Sequence, residues 1–271
     1  MQVDHQNTIK LQLSKLLSGD SLCIANYTAL KNSSVKSPIQ QLRTRLKENA
    51  DVATRESGKR FFKQHEAVKL HGVKTAMVLK IARTSFESVK SRSKEEVLAL
   101  CDDLWESGYI EETFVACEWA YGMRKHYIPA DLERFEKWLA DYVDNWASCD
   151  TLCNHSVGTL VEMYPELLAS LLRWTRSDNR WLKRGAAVSL IIPARKGLFF
   201  EAVFAIANRL LGDSDDLVQK GYGWLLKAAS GAHAKEVFAY LMEKHAVMPR
   251  TAFRYALEKM PAAWRIEAMS K

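Results

Sequence analysis

The sequence predicts an all-α protein in which paired helices stack into a superhelical solenoid. Apolar residues recur at helical spacing, and strand-like alternation is nearly absent. Glycine and proline are scarce, at 12 and 6 of the 271 residues, so few helical runs are interrupted. About a dozen helices of roughly ten to eighteen residues are expected, with pairs recurring every ~35–45 residues as in solenoids of the HEAT type.

Capping and turn signals place the individual helices. The Ser37-Pro38 pair puts a capping residue before a proline at the first helical position. Ser93 and Glu96 form a capping box ahead of the amphipathic run at 97–105. Further boundaries are predicted at Pro129 and Pro165, which open helices, and at Pro193 and Gly197, which close one.

Two domains are predicted: an N-terminal extension or arm at residues 1–35, and a HEAT-like repeat domain at residues 36–271. The first segment combines a short helical run with the turn-rich stretch ANYTALKNSSVKSP, and we assign it no function. No run of eighteen apolar residues occurs, and the N-terminus lacks the apolar core of a signal peptide. We therefore expect a cytoplasmic protein with no membrane partner.

Cysteine usage predicts free thiols. The five cysteines are odd in number and include no CxxC pair, which favours a reducing compartment. Cys149 and Cys153, with His155 nearby, resemble half of a metal site, but no second pair of ligands follows at zinc spacing. The prediction is packed thiols and no metal.

Charge is unevenly distributed along the chain. Residues 36–95 hold fifteen Lys/Arg against six Asp/Glu, and residues 96–150 hold four against thirteen. Residues 151–271 are basic again, with seventeen against eleven. If the fold brings the two basic segments to one side, that side would attract a polyanion; the alternative is a set of ordinary solvated helix faces.

Three stretches combine aromatic, basic and acidic side chains. In NWASCD, Trp146 and Asp150 are four residues apart and so share one helix face. The second stretch, residues 174–190, has Ser177 or Asp178 as a helix cap. The third, residues 213–227, is also capped by Asp or Ser. The candidate residues of the last two stretches are Arg180, Lys183, Arg184, Lys220 and Trp224.

Each of these residues also has an ordinary structural interpretation. Tryptophans are commonly packed between helices, and a basic side chain such as Arg184 is commonly part of a surface ion pair. Together they indicate more, because a repeat array lines its concave side with corresponding helices. A positively charged helix start in the second stretch would suit a phosphate.

From about Ser37 onwards the sequence resembles the AlkC/AlkD-type DNA alkylation repair family, in particular the AlkD-like DNA-7-methylguanine glycosylases. The motifs are individually degenerate, and their order across some two hundred residues makes the match specific. They are KRFFK (59–63), HGVKT (71–75), NWxxxD (145–150) followed by Gly158, SDNxWLxR (177–184), QKGYGW (219–224) and PRTAFRYALEK (249–259).

The resemblance implies a superhelix whose concave, basic face holds double-stranded DNA containing alkylated bases. It implies excision of N3-methyladenine and N7-methylguanine in base excision repair, with no metal or other cofactor and without drawing the base into a pocket. By the same resemblance Asp150 is the catalytic aspartate, Trp146 and Trp224 flank the lesion, and Arg184 contacts the phosphodiester. We expect a monomer.

The chemistry agrees with these residue types. An alkylated cationic base leaves as a neutral molecule, so the step that needs help is formation of the positively charged, oxocarbenium-like sugar. A fixed carboxylate stabilises that charge and orients a water molecule. Aromatic walls offer cation–π contacts to the same sugar. Trp146 and Asp150 would thus belong to one cation-stabilising cleft.

Two positions depart from the family's pattern. Phe61 stands where the family has a tyrosine, and Lys74 stands where it has a glutamine. Both are expected to contact DNA, as are the basic residues Arg180, Lys183 and Lys220. Some relatives bind distorted or branched DNA without glycosylase activity, which leaves a non-catalytic binder as one alternative. A protein–protein scaffold, with the tryptophans in its core, is the other.

Overall fold

The computed structural model describes residues 36–62 and 68–270. The predicted N-terminal arm, Cys23 and Lys63 of the KRFFK motif lie outside these residues. The chain divides into two units, residues 1–41 and 42–271, and the candidate site lies entirely in the second.

The described part of the chain is all-helical, as predicted, and contains no β-strand beyond one isolated bridge between Lys69 and Tyr109. Many helices are shorter than expected, because turns and one π-helix, Cys153–Val157, divide the predicted runs. The α-helices are α1 (Pro38–Glu48), α2 (Val52–Lys59), α3 (Thr75–Phe86), α4 (Lys94–Glu106), α5 (Ile110–Gly122), α6 (Asp131–Asp141), α7 (Trp146–Leu152), α8 (Gly158–Met163), α9 (Leu168–Trp174), α10 (Arg180–Val188), α11 (Ile191–Arg195), α12 (Phe200–Leu210), α13 (Asp216–Ala229), α14 (Ala234–Lys244), α15 (Arg250–Leu257) and α16 (Ala262–Met269).

These helices form two rows. In the first row, α5, α7, α10, α13 and α15 pack in succession, and their starting residues are 34 to 36 positions apart. The second row consists of α4, α6, α9, α12 and α14. Each of these helices packs against the first-row helix that comes next in its pair, for example α4 against α5. This regular succession of helix pairs is the predicted solenoid.

Hydrogen bonds between side chains connect neighbouring repeats, and the bonded residues are about one repeat length apart in the sequence. The buried Lys94 ammonium donates to Asp131, 37 residues later, at 2.8 Å. Trp138 Nε1 donates to the Asp102 carboxylate at 2.6 Å, 36 residues away. The acidic segment between the two basic ones therefore supplies part of the bonding between repeats.

Helix starts follow the predicted signals at some positions and differ at others. The capping box of Ser93 at the start of α4 and the Asp215 cap of α13 are confirmed. Helix α10 is capped by Asn179, not by Ser177 or Asp178, because the Asn179 side chain accepts from the Trp181 amide at 2.8 Å.

The expected helix stop at Pro193 is also wrong. Pro193 lies inside α11, in its first turn, where a backbone N–H has no partner within the helix and its loss costs little. The chain instead turns at Gly197, which has a φ of 77°.

The tryptophans divide into a core set and a partly exposed set. Trp119 is fully buried, and its Nε1 donates to the Ala82 carbonyl oxygen at 3.0 Å. Trp146 and Trp224 are only half-buried. The other tryptophans with almost no exposed surface are Trp105, Trp138 and Trp174.

The four described cysteines are buried free thiols, which agrees with the predicted packing of Cys149 and Cys153. Within residues 36–62 and 68–270, no helix has the length and apolar character needed to cross a membrane.

Candidate active site

A cleft of about 870 Å³ opens beside the first row, bordered by α2, α3, α5, α7 and α13. Its walls are mainly apolar, and its lining includes the carboxylate of Asp150. The aromatic side chains that line it are Phe61, Phe62, Phe114, Trp146 and Trp224. The structure thus brings three of the four predicted catalytic residues to one cavity. The fourth, Arg184, does not line the cavity but is bonded to Asp150.

Helix α7 carries Trp146 and Asp150 into the cleft. Asn145 caps this helix, since its side chain accepts from the Ser148 amide at 2.9 Å, and Trp146 is therefore the first helical residue. Asp150 follows one turn later on the same face. The π-helix that begins at Cys153 directly after α7 adds a residue to the turn, a feature that often accompanies functional sites.

Arg184 of α10 holds the Asp150 carboxylate by two parallel bonds. Its Nε donates to Oδ1 at 2.8 Å and its Nη2 donates to Oδ2 at 2.7 Å. Its Nη1 donates to the carbonyl oxygen of Leu217 in α13. Asp150 is 9 % exposed and Arg184 is 5 % exposed, so the pair is fixed in one orientation with little competition from water.

Glycines make room for this arrangement. A Cβ at Gly221 in α13 would lie 3.3 Å from Cγ of Arg184, closer than most such contacts. A Cβ at Gly158 would lie 2.5 Å from the Ser189 carbonyl oxygen. The Gly158 and QKGYGW motifs therefore allow neighbouring helices and the Arg184 side chain to approach closely.

Burial controls the electrostatics of the pair. It raises the pKa of the Asp150 carboxyl above the ordinary 3.8, although the positive charge and hydrogen bonds of Arg184 act in the opposite direction. Burial alone would lower the pKa of Arg184, but the Asp150 carboxylate more than offsets this effect and raises it. The guanidinium therefore stays charged beside the carboxyl.

The expected DNA contacts fall into two groups. Phe61 and Lys74 are exposed and line the cleft. Arg180, Lys183 and Lys220 are not among the described residues that line it. They are bonded instead to Asp215 at 2.9 Å, Asp213 at 2.6 Å and Asp216 at 3.2 Å, respectively.

The HGVKT motif is organised by Glu111, a residue that the sequence analysis did not single out. The buried Glu111 carboxylate accepts from the backbone amides of His71, Gly72 and Val73 at 2.8 to 3.1 Å. Gly72 has a φ of 94°, and a Cβ there would lie 2.4 Å from the Asp51 carbonyl oxygen. This loop leads directly to Lys74 at the start of α3, so Glu111 fixes one wall of the cleft.

The adjacent Glu112 completes that loop's support. His71 Nε2 lies 3.0 Å from its carboxylate, and the His71 ring stacks on Tyr109 at 3.9 Å. Burial acts to raise the pKa of Glu112, but hydrogen bonds from His71 and Arg43 hold it below its ordinary value. The only sequence signal for the support of this loop is the presence of two adjacent glutamates, Glu111 and Glu112, in the first turn of α5.

Phe62 is a further cleft residue whose role was not predicted from the sequence. Its ring centroid lies 6.2 Å from that of Trp146, whereas Phe61 is 72 % exposed. Both phenylalanines of the KRFFK motif line the cleft, and Phe62 is the one that contacts the Trp146 ring. The two adjacent phenylalanines of the motif are visible in the sequence, but only the folded structure shows that Phe62 is the one that contacts Trp146.

A sequence model of the DNA alkylation repair enzyme family matches residues 42–260. The chain belongs to this family. Its fold is similar to that of a protein described as "Predicted DNA alkylation repair enzyme" from Enterococcus faecalis, with a TM-score of 0.70 and 15% sequence identity. The similarity covers 79% of this chain and 98% of that one. Among curated proteins, no match was found.

Substitution of Arg184 in this family member tests the role of the ion pair. We expect Arg184→Ala to lower the free energy of unfolding by about 3–5 kcal/mol, because the Asp150 carboxylate would remain buried without its partner. The slope of log affinity for duplex DNA against log salt should stay unchanged. Chemical denaturation and salt titration measure the two quantities.

Arg180→Ala on the same helix is the matched control. Its ion pair with Asp215 is partly exposed, at 31 % and 24 % of the side chains, so its loss should cost about 1 kcal/mol or less. The phosphate contact that the family resemblance implies for Arg184 predicts the opposite result: a salt slope reduced by about one unit with little loss of stability.

Proposed function

We propose that this family member is a DNA glycosylase that removes cationic alkylated purines, such as N7-methylguanine and N3-methyladenine, from duplex DNA. The observation that carries the proposal is the fixed, buried carboxylate of Asp150 in a cleft whose walls include Trp146 and Trp224. Acting on chromosomal DNA, the protein would work in the cytoplasm at the nucleoid, as a monomer and without a cofactor.

The proposed reaction breaks the bond between the sugar C1′ and the purine nitrogen. The bonding electron pair leaves with the base, which becomes neutral, and the positive charge develops on the sugar. Asp150 stabilises that charge, and a water molecule adds to C1′ and releases a proton. Trp146 and Trp224 would bound the same sugar with their aromatic faces.

Pairing with Arg184 leaves the carboxylate able to act. Each Asp150 oxygen accepts one bond from Arg184, and an ionised carboxylate offers about four acceptor positions in all. The guanidinium fixes the orientation of the group in advance, so no reorganisation is needed when the sugar becomes positive. In this proposal Arg184 is a positioning residue.

The cleft rim bears on which lesion is preferred. Phe61 presents an aromatic face without a hydroxyl, and Lys74 presents a positive charge at the start of α3. Lys74 can reach a phosphate, but it cannot read a base edge as an amide side chain does. We therefore expect these two positions to influence affinity for the backbone more than selection of the base.

Incubation of the purified protein with methylated duplex DNA tests the proposal. Free 7-methylguanine or 3-methyladenine should appear in the soluble fraction, and the DNA should become cleavable by alkali at the new abasic sites. Binding without release would favour the second candidate, a non-catalytic binder of distorted DNA. That candidate draws support from one observation: both Asp150 oxygens are already bonded to Arg184.

The pH dependence of base release gives an independent check. Because burial raises the pKa of Asp150, the carboxylate becomes protonated at a higher pH than an ordinary aspartate. Enzymatic release, corrected for spontaneous loss of base, should therefore fall as the pH decreases, with a midpoint above pH 3.8. A profile that stays flat down to that pH would contradict a role for ionised Asp150.

A further inference from the structure

The fifth residues of the first-row helices form a series along the solenoid. Equivalent positions in stacked repeats lie in line, so these side chains should follow one another from repeat to repeat. Two members of the series line the cleft, and a third is bonded to the second at 2.7 Å. The series is Phe114, Asp150, Arg184, Lys220 and Arg254, with separations of 34 to 36 residues.

Helix α15, which carries the last member, packs closely on α13. A Cβ at Gly223 of α13 would lie 2.7 Å from the Ala252 carbonyl oxygen and 2.9 Å from Cβ of Tyr255. Lys227 of α13 bonds to Glu258 at 2.6 Å. The two helices are therefore held in register, and α15 continues the first row beyond Trp224.

The basic residues of the first row differ in whether their charge is neutralised. Arg180, Lys183 and Lys220 each have an acidic partner within 3.2 Å. Arg250 and Arg254 of α15 are exposed, and within the described chain neither has a carboxylate partner at salt-bridge distance. Their positive charge is thus available to a ligand.

A third arginine lies beside this pair. Arg265 of α16 is exposed and lines the same hollow as Arg254, a depression of about 500 Å³ between α15 and α16. Like the other two, it has no salt-bridge partner among the described residues. Arg250, Arg254 and Arg265 are called the C-terminal arginine cluster below.

We propose that the C-terminal arginine cluster binds the phosphate backbone of duplex DNA on one side of the lesion. The guanidinium fork matches a phosphate and remains charged at every physiological pH. The assignment of the lesion to the cleft rests on the proposed function; the phosphate contact itself rests on the exposed arginines. It gives a role to the PRTAFRYALEK motif, in which Arg250 and Arg254 lie one helical turn apart.

The solenoid sets the distance between the two contacts. Three helix-to-helix steps separate α7 from α15, and at about 8–10 Å a step they span roughly 25–30 Å. The phosphates of one DNA strand are spaced about 3.4 Å along the helix axis, so the cluster would meet the backbone roughly seven to nine nucleotides from the reacting sugar. The contact is therefore one-sided and depends on duplex length.

Salt titration of binding to undamaged duplex DNA is the first test. The Arg250→Gln/Arg254→Gln variant should reduce the slope of log affinity against log salt by about two units. The control, Arg92→Gln/Arg134→Gln, removes the same charge from α6 and the turn before α4, and should leave the slope unchanged. Equal slopes for the two variants would overturn the proposal.

Trimming of the DNA is the second test. A duplex with a central tetrahydrofuran abasic site and twelve base pairs on each side is shortened to four base pairs on one side, then on the other. Wild-type protein should lose affinity when one particular arm is cut, and the Arg250→Gln/Arg254→Gln variant should be insensitive to that cut. Equal losses for both proteins would contradict the proposal.

These outcomes are separable from those of the glycosylase proposal. Both tests measure binding and not base release. If the wild-type protein released no base, the proposed reaction would be overturned, and the salt dependence of DNA affinity would still decide whether the cluster binds phosphate. Melting curves for each variant check that the substitutions leave the fold intact; Arg92, Arg250 and Arg254 are exposed, and Arg134 is partly buried.

Discussion

Asp150→Asn is expected to lower the rate of base release on the order of 10²-fold or more while binding to duplex DNA is retained. The substitution keeps the shape of the side chain and removes the negative charge that would face the developing sugar cation. Loss of one preorganised electrostatic stabiliser typically has an effect of this size. Single-turnover release from methylated duplex DNA measures it directly.

Two controls sharpen this result. Asp141→Asn removes an exposed carboxylate from the end of α6, outside the cleft, and should leave release unchanged. A melting curve of Asp150→Asn is needed as well, because Arg184 would then lie buried beside an uncharged partner. Release near the wild-type rate by a folded Asp150→Asn protein would contradict the proposed mechanism.

Replacing tryptophans by alanine should separate the cleft from the core. Trp119→Ala is expected to cost about 3–5 kcal/mol of the free energy of unfolding, because this side chain is fully buried and hydrogen-bonded to Ala82. Trp146→Ala and Trp224→Ala should cost considerably less, since both side chains are half-buried beside open space. Chemical denaturation measures all three.

The same variants should differ in activity. Trp146→Ala and Trp224→Ala are expected to remain folded and to lose most base release, because each removes one wall of the cleft. If both were as unstable as Trp119→Ala, the two residues would be core residues and the cleft would not be a binding site. If both were stable and fully active, the aromatic walls would have no part in the reaction.

The sequence was sufficient for the solenoid and for part of the site. Helical periodicity predicted the helix pairs, and the spacing of Trp146 and Asp150 placed both on one helix face, as the structure has them. The 34 residues between Asp150 and Arg184 equal one repeat, the separation at which side chains meet between neighbouring repeats. Short-range spacing and repeat length are both readable from the chain.

Other features depended on contacts between distant segments. Glu111 accepts three amides from a loop some forty residues earlier, and nothing in its local sequence names that loop. The ion pair between Lys183 and Asp213 is a similar case, because the sequence does not show whether a basic residue near a helix start has an acidic partner. Only the packing of the helices decides such partners.

Binding of a cationic transition-state mimic tests the central claim most directly. One duplex carries a pyrrolidine abasic nucleotide, whose ring nitrogen is protonated at neutral pH, and a second carries the neutral tetrahydrofuran nucleotide. If Asp150 stabilises a positively charged sugar, the wild-type protein should bind the cationic duplex more tightly, and Asp150→Asn should abolish that preference. Equal affinity of the wild-type protein for the two duplexes would contradict the account.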